Sequence, residues 1–131
     1  MLAWRRDVPD TGWMELILID DHELVLMSVT LALTQALPDL VVHSYARCEP
    51  ALLHPPEAIS HVLVDFQLSA EHVSPEPLQG WRCLRALAHR FPASRRVMMS
   101  AHPREQMVVA ARQAGAHAYV EKSLRPVQMM Q

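Results

Sequence analysis

The chain reads as an α/β protein: a doubly wound, five-stranded parallel sheet with helices on both faces. Two observations predict it. Short apolar runs alternate with longer segments of helical period, the rhythm of strand–helix–strand units. The runs are also continuous in apolar character rather than alternating, as in strands covered on both sides.

Taken in order, "ELILID" (15–20) is short and rich in branched residues, a first strand. "HELVLMSVTLALTQAL" (22–37) follows as a helix stopped by Pro38. On it Val25, Val29, Ala32 and Ala36 form a core stripe, leaving Leu24, Leu26, Met27 and Leu31 off that stripe as a candidate partner surface. "LVVHSY" (40–45) is the second strand, and "CEPALLH" holds a short helix at most before Pro55 and Pro56. "HVLVDF" (61–66) is the third strand. "LQGWRCLRALAHRF" (78–91) places Trp81, Leu84, Leu87, Ala88 and Phe91 on one helical face. "RVMMS" (96–100) is the fourth strand. "PREQMVVAARQAG" (103–115) is a helix with proline at its first position and glycine just past its end. "AYVEK" (118–122) is the fifth strand.

The 131 residues make one domain, long enough for a sizeable core. A net charge of -2 gives this segment no electrostatic case for binding nucleic acid. No apolar run approaches the ~18 residues of a membrane span, so no membrane partner is expected. The first thirteen residues lack the apolar centre of a secretory signal and read as a tail. Cys48 and Cys83 show no ligand-like spacing and are expected to be two reduced thiols in a cytoplasmic protein. The eight histidines sit singly in the sequence, without HxH or HxxxH pairs, which argues against a dedicated histidine metal site.

In a parallel sheet of this kind ligands gather at the carboxyl ends of the strands. Asp20 and Asp21 follow the first strand, Asp65 closes the third, Ser100 the fourth and Lys122 the fifth. Each alone suits an ordinary structural use: a helix cap, a loop acid, a surface charge. Jointly they bring three carboxylates, a hydroxyl and an ammonium to one edge. Three close carboxylates repel one another unless a cation shares the site, and oxygen donors in that number suit Mg²⁺. A carboxylate in such surroundings can act as nucleophile toward a phosphoryl group, and Asp65, at the end of the central strand, is the candidate. Mg²⁺ and Lys122 would neutralise the phosphoryl charge, with Ser100 hydrogen-bonding its oxygens. Lys122 is the chain's only lysine, against eleven arginines, and a compact ammonium contacts a phosphoryl oxygen without fork geometry.

This set of residues resembles the receiver domain of bacterial two-component response regulators. The matching positions are Asp20-Asp21 in "LIDDHELV", Asp65 in "VLVDF", Ser100-Ala101 in "VMMSAH", and Tyr119 and Lys122 in "GAHAYVEK". "DDHELV" together with "KS" looks most like the subfamily whose receivers precede a helix-turn-helix DNA-binding domain. The resemblance implies a flavodoxin-like sheet with strand order 2-1-3-4-5. It implies that a sensor histidine kinase phosphorylates Asp65, and that Asp20, Asp21, Asp65 and the Gln67 carbonyl hold Mg²⁺. Ser100 and Tyr119 would be switch residues, and Gln67 and His102 would influence self-dephosphorylation. It further implies residues 14–131 as the receiver with its last helix cut short, and DNA contact only through an output domain absent from this chain. A homodimer through the first helix or through the last two strand–helix units is the other partner it suggests.

The chain departs from the family pattern after Asp65. Ser69 stands where a proline is usual, and Gly80 comes later than the family's glycine, so "SAEHVSPEP" contains an insertion. That keeps a second reading in play, a degenerate receiver acting as an interaction module without phosphorylation. An aspartyl-nucleophile phosphatase would need a second aspartate where Gln67 stands, and a dinucleotide-binding enzyme would need a GxGxxG that is absent.

Overall fold

The computed structural model describes residues 14–66 and 80–121. Five strands, β1 (Met14–Ile19), β2 (Leu40–Tyr45), β3 (His61–Asp65), β4 (Arg95–Ser100) and β5 (Ala118–Glu121), form one sheet in the order β2-β1-β3-β4-β5. Every pairing is parallel, with Ile17 facing both His43 and Val62, and Val64 facing Met98. Among the described residues three α-helices connect strands: α1 (Glu23–Ala36), α2 (Gly80–Arg90) and α3 (Arg104–Gln113). The expected architecture and strand order are thus the observed ones.

The continuous apolar runs work as two-sided strands. Leu16, Leu18, Leu63, Val97 and Met99 point to a core shared with α1. Ile17, Ile19, Val62, Val64 and Met98 point to the opposite core, shared with α2 and α3. A one-residue slip in any strand would exchange its two faces, so register is strongly specified here.

The α1 stripe differs from the arithmetic of helical spacing. Val29 and Leu33 are buried, with Val25 and Leu26 packed beside them and Leu37 closing the row, while Ala36 is exposed. The helix is rolled so that its larger side chains, one turn apart, meet the sheet, since a leucine buries more apolar surface than an alanine. Leu26 therefore belongs to the core side, and the exposed apolar set is Leu24 (76% accessible), Met27 (64%) and Leu31 (59%).

Pro103 caps α3 at the position before its first helical residue, not within the first turn. The α3 end follows expectation. Ala114 is the C-cap and Gly115 takes a φ of 106°, the left-handed conformation that favours glycine. Arg96 then fastens this turn to β4, donating from Nε to the Gly115 carbonyl (2.8 Å) and from its guanidinium to the Ser94 carbonyl (3.1 Å).

The expectation of two reduced thiols is corrected. Cys48 and Cys83 form a disulfide with Cα atoms 5.7 Å apart. Cys48 precedes a 3-10 turn (Glu49–Leu53) that packs against α2, and Cys83 lies on the buried face of α2. The two stand 35 positions apart in sequence, but the fold places both in the core on the α2 side of the sheet.

Candidate functional site

The carboxyl edge of the sheet gathers the acids. Asp20 leaves β1 fully buried, its backbone N–H donating to the Tyr45 carbonyl (3.1 Å). Asp65 is the last residue of β3 and is 1% accessible. Phe66 follows it, and its N–H donates to the Met99 carbonyl (2.8 Å), which fixes the strand end beside β4. Carboxylate oxygens of Asp20, Asp21 and Asp65, with one imidazole nitrogen of His22, all lie within 4.8 Å of one another.

Asp20 and Asp21 do not serve as helix caps. The N-cap of α1 is His22, in extended conformation and without a side-chain cap hydrogen bond. Instead the Asp20 carboxylate turns back to accept the His22 N–H (2.8 Å), an Asx-type turn. His22 Nδ1 lies 3.0 Å from Asp20 Oδ1 and 3.1 Å from Asp21 Oδ1. His22 has no histidine partner at ligand spacing in the sequence; its adjacency to Asp21 is what brings it to the site.

Ser100 ends β4 fully buried, and its Oγ accepts the His102 N–H (3.0 Å). Tyr119 of β5 is buried, and its hydroxyl donates to the His102 carbonyl (2.6 Å). Ser100, His102 and Tyr119 are therefore linked through one short segment between β4 and α3. The His102 ring meets Phe66 edge-on, with centroids 6.4 Å apart, so the same segment touches the residue after Asp65. Lys122 and Gln67, expected at this site, lie outside the described residues.

Chemically, the edge offers hard oxygen donors at close range. Two ligand atoms on opposite sides of a Mg²⁺ ion stand about 4.2 Å apart, twice the ~2.1 Å bond length. The donor set, with all its atoms within 4.8 Å of one another, comes close to that span.

A second histidine grouping was also invisible in the sequence. His43 and His54 rings approach to 4.5 Å, with His43 Nε2 3.2 Å from Glu15 Oε2 and His54 Nε2 2.6 Å from the Tyr45 hydroxyl. Burial lowers the His54 pKa, and the neighbouring His43 lowers it further against the opposing pull of Glu15. The grouping straddles β1, β2 and the 3-10 turn and contains none of the strand-end acids.

Solved structures share this fold. A response regulator from Thermotoga maritima, DrrB, described as an OmpR/PhoB homologue, matches with a TM-score of 0.69 and 22% identity, covering 86% of this chain and 47% of that one. This chain thus spans about half of that regulator. A response regulator from Burkholderia pseudomallei, with a phosphorylated aspartic acid, calcium ion and citrate, matches at 0.71 and 20% identity, covering 91% of this chain and 67% of that one. A CheY-like receiver domain protein from Methanospirillum hungatei matches at 0.69 and 20%, covering 86% and 84%. Among curated proteins no match is found. Residues 16–131 match the model of the response regulator receiver domain, and with that match over nearly its whole length the chain belongs to this family of signalling domains.

Proposed function

We propose that the chain is a phosphorylation switch in which Asp65 is the phosphoacceptor. The observation that carries this is the convergence of Asp20, Asp21 and Asp65 within 4.8 Å at the carboxyl edge of the sheet. An Asp65 carboxylate oxygen attacks the phosphorus of a phosphohistidine on a sensor kinase. The P–N bond breaks, the imidazole leaves, and Asp65 carries an acyl phosphate. Asp20, Asp21 and Asp65 are assigned to hold Mg²⁺, which when bound neutralises phosphoryl charge. By the family pattern Lys122 would contact a phosphoryl oxygen and the Gln67 carbonyl would be a further ligand of the ion. Ser100 is assigned to hydrogen-bond the modified group, and its link through His102 to Tyr119 supports a switch that runs toward β5.

The test is incubation with Mg²⁺ and acetyl phosphate, or with Mg²⁺ and beryllofluoride, followed by intact mass and by tyrosine and tryptophan fluorescence. The wild type is expected to gain one phosphoryl group and to change its fluorescence; Asp65→Asn is expected to do neither. An equal response from a folded Asp65→Asn variant would refute the assignment.

The exposed Leu24, Met27 and Leu31 stripe on α1 supports a docking role for a kinase or a second copy of the chain. Leu24→Glu with Met27→Glu is expected to slow phosphotransfer from a kinase while leaving modification by acetyl phosphate unchanged. Equal slowing with both donors would show damage to the site and not to a docking face. A transcriptional output domain beyond this segment belongs to the same proposal, supported by "DDHELV" and "KS". So does a cytoplasmic location. No helix among the described residues is long and apolar enough to cross a membrane. The Cys48–Cys83 bond pulls the other way, because cytosolic disulfides are rare and mostly redox-active.

A further inference from the structure

We infer that His22 is a ligand of the metal site and tilts it from Mg²⁺ toward borderline divalent ions, of which Zn²⁺ is the probe. The inference rests on reading the Asp20–Asp21–Asp65 edge as a divalent-cation site and concerns which cation that site takes. Three observations carry it. The His22 nitrogen belongs to the same compact donor set as the three carboxylates. Its Nδ1 stands 3.0 and 3.1 Å from the Asp20 and Asp21 oxygens, so one ion could meet ring and carboxylates without backbone movement. The turn that positions the ring is the one that positions Asp20, since the His22 N–H is held by Asp20 Oδ1 at 2.8 Å. Ring and acid therefore approach the ion as a unit.

The chemistry decides the selectivity. Mg²⁺ is hard, takes oxygen donors and holds its waters, so an imidazole adds little to it. Zn²⁺ accepts imidazole nitrogen and carboxylate oxygen together, at about 2.0–2.2 Å, and lies far above Mn²⁺ in the usual affinity order. Nδ1 lies at hydrogen-bond distance from Asp20 Oδ1. A bound Zn²⁺ would take the place of the proton in that contact, which is released, leaving the ring protonated on Nε2 with its Nδ1 lone pair on the ion. The His22 side chain is 62% accessible, so an ion arriving from solvent meets the imidazole before the buried acids.

The His22→Ala variant isolates the effect. His22 makes no side-chain cap hydrogen bond to α1, so its removal leaves the helix start intact. Calorimetric titrations with Zn²⁺ and with Mg²⁺ are run in a His43→Gln/His54→Gln background, which removes the close imidazole pair on β2 and the 3-10 turn. Zn²⁺ affinity is expected to fall roughly tenfold or more with His22→Ala, at least the size seen for loss of an outer-shell partner, while Mg²⁺ affinity stays nearly constant. In nitrogen-15 spectra Zn²⁺ is expected to shift the His22 ring resonances. An unchanged Zn²⁺-to-Mg²⁺ ratio, or unmoved His22 ring signals, overturns the inference while Mg²⁺ binding upholds the site itself. Absence of binding by either ion overturns both.

Discussion

Removing the Cys48–Cys83 bond is expected to lower the free energy of unfolding by roughly 3–4 kcal/mol, the loop-closure entropy for a separation of 35 residues. In a domain of this size that corresponds to a fall in unfolding temperature of about 10 °C. The cost arises in the unfolded chain, which regains freedom between the 3-10 turn and α2. The Cys48→Ala/Cys83→Ala double variant avoids burying hydroxyls at two fully enclosed positions. Urea unfolding with and without dithiothreitol measures the difference. The wild type should lose stability on reduction, and the double variant should be indifferent to the reductant. Coincident wild-type curves would mean that the bond does not contribute in solution.

The second large effect is at Gly80. A Cβ added there would overlap the carbonyl oxygens of Asp65 and Phe66. Both obstacles are backbone, so no side chain can swing aside, and the helix start or the end of β3 must move. Overpacking of this kind costs about 1–3 kcal/mol. Because the displaced backbone is that of Asp65, Gly80→Ala is expected to weaken Mg²⁺ binding as well as stability. Calorimetric Mg²⁺ titration of the folded variant checks this. Full retention of both properties would mean that α2 does not press on the strand end.

These two positions also mark where the sequence could and could not be read. Parallel strands present their carboxyl ends at one edge, so Asp20, Asp65 and Ser100 were placeable once the runs were recognised as strands. The β2 limits were legible to the residue because Pro38 and the polar break after Tyr45 bracket a branched run. Features that depend on contact between distant segments were not legible. Cys48 and Cys83 meet only because the 3-10 turn packs against α2, and no spacing rule encodes that. His43 and His54 likewise meet through the path of the chain after β2. The roll of α1 is not encoded in its period, because an ideal helical wheel gives faces but not which face the sheet takes. The signal for His22 lies in its adjacency to Asp21 and not in its spacing to other histidines.

The disulfide has a mechanical consequence. On the α2 flank of Asp65, a covalent staple joins the helix to the turn beyond β2. On the Ser100 flank the described residues carry no covalent cross-link and are held by core packing and by hydrogen bonds, His102 N–H to Ser100 Oγ and the Tyr119 hydroxyl to the His102 carbonyl. The strand edge is thus covalently stapled on one flank and, among the described residues, not on the other. A displacement that starts at Asp65 is therefore expected to be resisted where the staple fixes α2 and taken up more readily through the Ser100–His102–Tyr119 contacts at β5.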